Sequence, residues 1–231
     1  MNAADLLAIW EHGRQLAPLR RARLFSALEP ADTRGAPLPM GASGARMLHL
    51  RRRLFGSDIA AIAHCPTCDA ALELSMQVED FLAAANDDIL AATHSVDVDG
   101  RTLHFRLPTL EDLEAIDPSL PIADAQTQLL LACVSDHDRA HAIHAEAALL
   151  TEIARSDPLA DPHLALSCEA CDEHFTVAFD IAAFLWREIE AWSARLMADV
   201  HTIASSYGWS EAEILALTPT RRQVYLDLIC A

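Results

Sequence analysis

The residues of this chain best suited to chemistry are four cysteines, which occur as two copies of one short pattern. Cys65 and Cys68 form the first C-x-x-C, and Cys168 and Cys171 form the second, 103 positions later, with an aspartate after each copy. A C-x-x-C turn presents two thiolates to one metal ion, and two such turns complete the tetrahedral four-sulfur shell that Zn²⁺ favours. The sequence therefore predicts one zinc ion bound by Cys65, Cys68, Cys168 and Cys171.

Apolar residues alternate with polar ones after each C-x-x-C, and the two copies do so at matching positions. Alternation with a period of two is typical of a half-buried β-strand. Each copy is therefore predicted to be a metal knuckle followed by a strand, and the two together resemble a split zinc ribbon. The alternating residues are Leu72, Leu74, Met76 and Val78 in the first copy and Phe175, Val177, Phe179 and Ile181 in the second.

The gap between the knuckles is much longer than in a compact zinc ribbon. Such ribbons usually separate their cysteine pairs by about 15–20 residues, whereas 99 residues lie between Cys68 and Cys168 here. We interpret residues 82–162 as an insertion between two knuckles that pair about a pseudo-twofold axis. Degenerate, metal-free knuckles and a redox dithiol remain alternatives to a shared zinc ion.

The surroundings of the cysteines favour a structural metal over a catalytic one. A redox C-x-x-C normally lies at a helix N-terminus, which lowers the thiol pKa, but strands are expected after both knuckles. Four sulfur ligands also leave no open coordination position for a substrate. The remaining cysteines, Cys133 and Cys230, have no partner at metal-ligand spacing and are expected in the core and the C-terminal tail.

Three histidines form a second candidate metal cluster. His137, His141 and His144 have H-x-x-x-H-x-x-H spacing, which on a helix would share a face. We interpret them as a solvated polar face, and whether they bind anything stays open. His64 and His174, beside the knuckles, are expected at surface or strand positions. Phosphate-binding loops and nucleophile motifs are missing from the sequence, so the protein is predicted not to be an enzyme.

The charge of −17 is distributed unevenly. Residues 1–55 carry nine arginines against four acids, the remainder carries eight arginines against thirty acids, and there is no lysine. An acidic, lysine-free body is a poor partner for phosphate backbones. The arginine-rich segment indicates a protein-docking surface, with solvated helix faces as the commoner alternative. It is also the feature that supports the alternative of a zinc-ribbon nucleic-acid-binding or regulatory protein.

The predicted elements define an α+β fold that is mostly helical, with a small antiparallel sheet built on the split zinc ribbon. A tight hairpin is expected around Asp99-Gly100, because this dipeptide supplies the positive φ angles of a primed turn. Three segments are expected: residues 1–56 (helical), 57–184 (zinc-ribbon core with its insertion) and 185–231 (helical). Helices are predicted over 4–29 in two pieces, 42–55, 79–92, 122–134, 140–155, 182–206 and 211–217, with a last helix from Pro219. Neither a membrane span nor a signal peptide is recognised, so a cytoplasmic location is expected.

Three stretches of the sequence resemble a known family. They are LLAIWEHG with LPMGASGARMLHLRRRLFG leading into the first knuckle, FRLPTLEDLEA at 105–115, and HTIASSYGWSEAEILALTPTRRQVYLDLI at 201–229. In this order they are similar to the baseplate hub assembly chaperones of contractile-tailed phages, whose relatives occur with extracellular contractile injection systems. The resemblance implies a non-enzymatic assembly factor or minor baseplate component, with baseplate or hub proteins as partners and no membrane or nucleic acid. It also implies that Cys65, Cys68, Cys168 and Cys171 match the family's zinc-type cysteines.

Overall fold

The computed structural model describes residues 1–29, 38–85, 87–91 and 93–230. The fold is mixed α+β and 57% helical, with small antiparallel two-stranded sheets, as the sequence predicted at this level. The helices are α1 (Ala3–Gly13), α2 (Pro18–Ala27), α3 (Met40–Phe55), α4 (Val78–Leu82), α5 (Leu110–Glu114), α6 (Ile122–Cys133), α7 (Arg139–His144), α8 (Glu146–Ser156), α9 (Ile181–Tyr207), α10 (Glu211–Leu215) and α11 (Pro219–Cys230). The strands are β1 (Asp58–His64), β2 (Ala71–Gln77), β3 (His94–Val98), β4 (Arg101–Phe105), β5 (His163–Ser167) and β6 (His174–Ala178).

The chain divides into two compact units. Unit 1 comprises Met1–Ala17 and Ala183–Ala231, and unit 2 comprises Pro18–Ala182. Unit 2 contains all six strands and all four knuckle cysteines. The three segments expected from the sequence, 1–56, 57–184 and 185–231, stay a prediction.

Unit 1 is helical, and its core is formed by apolar residues that recur at helical spacing. Leu6 and Leu7 are buried from α1, and Gly13 at the end of that helix lies so close to Trp186 that an added Cβ would be 2.7 Å from the ring. The long helix predicted over 182–206 is confirmed as α9. Its buried residues within this unit include Leu185, Trp186, Ile189, Leu196 and Ile203.

Two hairpins in unit 2 have the alternating pattern that the sequence predicted. In the β1–β2 hairpin Ile59 faces Met76 and Ala61 faces Leu74, and these residues lie on the more buried face. The β5–β6 hairpin pairs Leu164 with Val177 and Leu166 with Phe175 in the same way. Both predicted strands that follow a knuckle are confirmed, and each pairs with a strand that precedes its knuckle.

The insertion between the hairpins has an apolar core of its own. The predicted hairpin at Asp99-Gly100 is confirmed as β3–β4, with φ angles of 52° and 78° at the two turn residues. Helices α6, α7 and α8 pack around this hairpin. The buried residues of this core are Leu103, Phe105, Leu107, Leu130, Val134, Ala142, Ala145 and Leu149.

Three predicted elements differ from the structure. The helix predicted over 79–92 is wrong: α4 ends at Leu82, where the N–H groups of Ala84 and Ala85 bond to carbonyls three residues back and tighten the last turn. A separate 3₁₀ turn follows at Asp87–Leu90. The helix predicted over 140–155 is divided at Ala145, which is buried in the insertion core. Helix α3 begins at Met40, two residues before the helix predicted over 42–55, and residues 30–37 lie outside the described residues.

Candidate metal centre

Each C-x-x-C lies on a tight turn between the two strands of its hairpin, and the two turns have equivalent backbone geometry. In the first knuckle the N–H of Asp69 donates to the carbonyl of Cys65 (2.9 Å), and the N–H of Cys65 donates to the carbonyl of Ala70 (3.0 Å). In the second knuckle the equivalent bonds run from Asp172 to Cys168 (2.9 Å) and from Cys168 to Glu173 (2.9 Å).

The aspartate after each C-x-x-C is explained by the backbone of these turns. Asp69 has a φ of 60° and Asp172 a φ of 56°, both in the left-handed region. Few non-glycine residues tolerate this region, and aspartate and asparagine are among those that do. The repeated aspartate is therefore a backbone requirement of the knuckle.

The four sulfurs converge although the two knuckles are far apart in the sequence. The Sγ atoms of Cys65 and Cys171 are 3.6 Å apart, as are those of Cys68 and Cys168, and all four lie within 4.8 Å of one another. A tetrahedral ion with Zn–S bonds of about 2.3 Å separates its sulfurs by about 3.8 Å. The spacing of this four-cysteine cluster therefore fits one metal ion such as zinc.

Hydrogen bonds around the cluster favour the ionised state of the Cys65 sulfur. Burial raises the pKa of the Cys65 thiol, but hydrogen bonds from the backbone of Cys68 and Thr67 and from neighbouring thiols outweigh it and lower that pKa to about 7. A thiolate near neutral pH is what a divalent metal ion requires of its ligand.

The second cysteine of each knuckle behaves differently. A backbone hydrogen bond from Glu173 lowers the pKa of Cys171, but the neighbouring thiol of Cys68 and burial raise it to about 12. A backbone bond from Ala70 and the thiol of Cys171 likewise lower the pKa of Cys68, yet the thiols of Cys168 and Cys65 and burial raise it overall. Thiolates at this spacing repel one another, so a bound cation would stabilise their charges.

The histidines singled out in the sequence do not join the cluster. His64 Nδ1 lies 3.4 Å from the carbonyl oxygen of Asp69, and His174 Nδ1 lies 2.7 Å from Ser167 Oγ. Both side chains are on exposed strand positions, as expected from the sequence.

The three histidines of the H-x-x-x-H-x-x-H pattern have separate partners. His137 Nε2 is 3.2 Å from Ser135 Oγ, His141 Nε2 accepts from Arg101 at 2.8 Å, and His144 Nδ1 bonds to the carbonyl of the residue four positions before it. Within the described ranges, no second group of three or more His, Cys, Asp or Glu side chains converges as the four cysteines do.

Several arginines of the basic N-terminal segment are paired within the chain. Arg20 and Arg23 both contact Glu114 at 2.6 Å, and Arg53 contacts Glu29 at 2.9 Å. Arg51 is buried and donates to the carbonyls of Gly56 (2.6 Å) and Asp58 (2.5 Å). Sequence patterns do not predict these pairings. The pairings reduce the positive charge that remains for an external ligand.

Comparison of the chain with protein-family models gave no match, and comparisons with curated proteins and with solved structures gave none either. Among the described residues, no helix has the length and apolar character needed to cross a bilayer.

Proposed function

We propose that this protein is a non-enzymatic, zinc-stabilised assembly factor or minor baseplate component of a contractile phage tail or contractile injection system, acting through protein–protein contacts. The observation that carries the proposal is the four-cysteine cluster. Its thiols fill a tetrahedral shell completely, so a bound metal has no position left for substrate or water. Such a metal joins distant parts of the chain and does no chemistry.

The zinc-ribbon part of the proposal is supported by the equivalence of the two knuckles. Both have the same backbone bonds, the same left-handed aspartate and the same order of one buried and one exposed cysteine. Phe81, just after β2, stacks on Phe179, just after β6, with ring centroids 4.8 Å apart. In our proposal one zinc ion and this aromatic pair hold the hairpins together as a split, pseudo-symmetric ribbon.

The tail-assembly part of the proposal is supported by the sequence resemblance, which extends over both ends of the chain. We place the docking surface on its helical terminal parts. Val224 and Leu228 lie one turn apart on α11 and are 52% and 62% exposed. Tyr207, Trp209 and Tyr225 form a half-exposed aromatic group in the same unit, with ring centroids 4.9–5.7 Å apart. Large exposed apolar side chains and aromatic residues are typical of protein interfaces. A cytoplasmic location, or incorporation into an assembled tail, follows from this role.

The experiment is co-expression with the baseplate and hub proteins encoded beside this gene, followed by pull-down on a tag. We expect a defined baseplate or hub protein to be recovered with the wild-type chain. The double variant Val224→Glu/Leu228→Glu should recover at least tenfold less, because each charge would have to be desolvated at the interface. Thr220→Glu, on an exposed position of the same helix, is the matched control and should recover the wild-type amount.

Recovery of no tail protein by the wild-type chain would contradict the proposal. A salt-dependent shift of labelled DNA or RNA at low ionic strength would support the nucleic-acid-binding alternative instead.

A further inference from the structure

Two contacts between sulfur atoms join the two knuckles. Each close pair, Cys65 with Cys171 and Cys68 with Cys168, has its sulfurs 3.6 Å apart. A disulfide needs an S–S distance of about 2.05 Å, so the sulfurs of each pair would have to approach by about 1.5 Å. These contacts bring a cross-link between the knuckles within reach.

Burial divides each close pair into one accessible and one shielded thiol. Cys65 and Cys168 are 2% exposed, whereas Cys68 and Cys171 are exposed. An oxidant therefore reaches the second cysteine of a knuckle first, and the buried first cysteine of the other knuckle lies in contact with the oxidised sulfur. Peroxide-sensing thiols combine access and a neighbouring resolving cysteine with thiolate character, which metal binding would supply at Cys68 and Cys171.

We infer that the four-cysteine cluster is a redox-sensitive clasp, in which oxidation by a peroxide exchanges the metal for two disulfides between the knuckles. The exposed thiol of Cys68 attacks hydrogen peroxide, which gives the sulfenic acid and one water. The thiol of Cys168 then attacks that sulfur, forms the disulfide and releases a second water, so two thiols supply two electrons to one peroxide. Cys171 and Cys65 react in the same way.

The consequence is that oxidation releases metal but keeps the clasp closed. Disulfides within each C-x-x-C would form no cross-link between the two hairpins. The only covalent connection between them would then be the chain of about 100 residues that separates the knuckles. Disulfides between the knuckles join the same two turns that the metal joins. The β1–β2 and β5–β6 hairpins thus stay together in both states.

Tryptic mapping of the full-length protein tests this directly, because the sequence separates the two outcomes. Trypsin cuts after Arg53, Arg101, Arg155 and Arg187, so each knuckle lies on one peptide, 54–101 or 156–187. Metal-loaded protein treated with hydrogen peroxide and digested without reductant should give these two peptides joined, with one metal ion released for every two disulfides formed. Two separate peptides, each with an internal disulfide, would overturn the inference.

Fragment spectra of the joined peptides test the pairing. Backbone cleavage between the two cysteines of each knuckle should assign one disulfide to Cys65 and Cys171 and the other to Cys68 and Cys168. Assignment of Cys65 to Cys168 would overturn the inference. The wild-type mapping uses no tail protein, so its failure would leave the proposed assembly role untouched.

Discussion

Cys65 and Cys68 contribute different properties to the cluster, and the second knuckle repeats the division between Cys168 and Cys171. The first cysteine of each knuckle is buried at the start of the turn, and the second is exposed within the turn. A single ion held by all four sulfurs would therefore contact both the interior and the surface of unit 2. Each cysteine would supply a quarter of one shell, and none would supply a site of its own.

Removing one cysteine should therefore abolish metal binding altogether. We expect about one zinc per chain in the native protein. Cys65→Ser and Cys168→Ser should each weaken binding more than the roughly 100-fold that loss of an outer-shell partner costs. Native mass spectrometry and elemental analysis measure the content. Cys230→Ser, at an exposed cysteine outside the cluster, is the control and should retain the metal. Retention by either knuckle variant would show that the knuckles bind independently.

Asp112 is the residue whose charge most directly supports the insertion. It accepts two hydrogen bonds from Arg106 (2.6 and 2.7 Å) and caps α5 through the N–H of Thr109 (2.9 Å). Burial raises the pKa of Asp112, but these bonds outweigh it and hold that pKa below its usual range. A carboxylate with a depressed folded pKa adds stability that is complete above its unfolded pKa and is lost as the pH falls through the folded value.

Asp112→Asn should consequently lower the free energy of unfolding by about 1–3 kcal/mol at pH 7. The difference from wild type should stay constant down to about pH 5 and shrink below about pH 4, where the unfolded wild-type chain takes up a proton that the folded carboxylate, with its lowered pKa, does not. Denaturant titrations at several pH values measure this. Asp124→Asn, at an exposed position on α6, serves as control. A difference that stays the same at pH 3 would contradict the assigned role.

Helix α3 begins where a side chain from another element accepts its first free N–H group. Asp157, just after α8, accepts from the N–H of Gly41 at 2.9 Å. Its carboxylate is almost fully buried, and burial raises its pKa although the bonds to Gly41 and Ala160 oppose this. Because the folded pKa of Asp157 is raised, the stability that this residue contributes is lost as the pH rises through that pKa. The pH dependence is therefore opposite to that of Asp112. The close approach requires glycine at position 41.

A methyl group at position 41 should therefore destabilise unit 2. An added Cβ on Gly41 would lie 1.7 Å from Asp157 Oδ1, so the carboxylate would have to move away from the helix. We expect Gly41→Ala to cost about 1–3 kcal/mol, measured by chemical denaturation. Gly44→Ala is the matched control on the same helix, because its nearest neighbours are 3.2 and 3.3 Å away. It should change stability by less than about 1 kcal/mol, since alanine is the better helix former. Equal stability of the two variants would argue against the cap.

At the scale of the whole molecule, a metal bound to the four cysteines would act on one part of the chain more than on the rest. The β1–β2 and β5–β6 hairpins are two-stranded, and such hairpins are marginal on their own. The insertion core around Leu103, Phe105 and Leu149 is apolar and contains none of the four knuckle cysteines. Binding of a structural metal is coupled to the folding of the segments that hold it.

Removal of the metal with a chelator should therefore open the hairpins selectively. Hydrogen exchange should show loss of amide protection at Asp58–His64, Ala71–Gln77, His163–Ser167 and His174–Ala178, while the insertion core and α9 remain protected. Addition of zinc after removal of the chelator should restore the pattern. Uniform loss of protection along the chain would mean that the metal supports the whole fold and not a local clasp.

The sequence by itself determined the elements whose signals lie within a few positions. The Asp99-Gly100 turn and the alternation after each C-x-x-C appear as predicted. Their physical causes are local: a required φ angle, and side chains that alternate across a strand. The four cysteines were also recognisable, because metal-ligand spacing is a property of one turn.

Only the tertiary structure decided which groups meet across long separations. The pairing of Cys65 with Cys171 spans 106 positions, the ion pair of Arg20 with Glu114 spans 94, and the cap of Asp157 on Gly41 spans 116. Each of these contacts depends on how packed elements bring surfaces together, which local pattern does not encode. The start of α3 and the division of the helix at Ala145 also differ from the prediction. The contacts found there, from Asp157 to Gly41 and around the buried Ala145, exist only after folding.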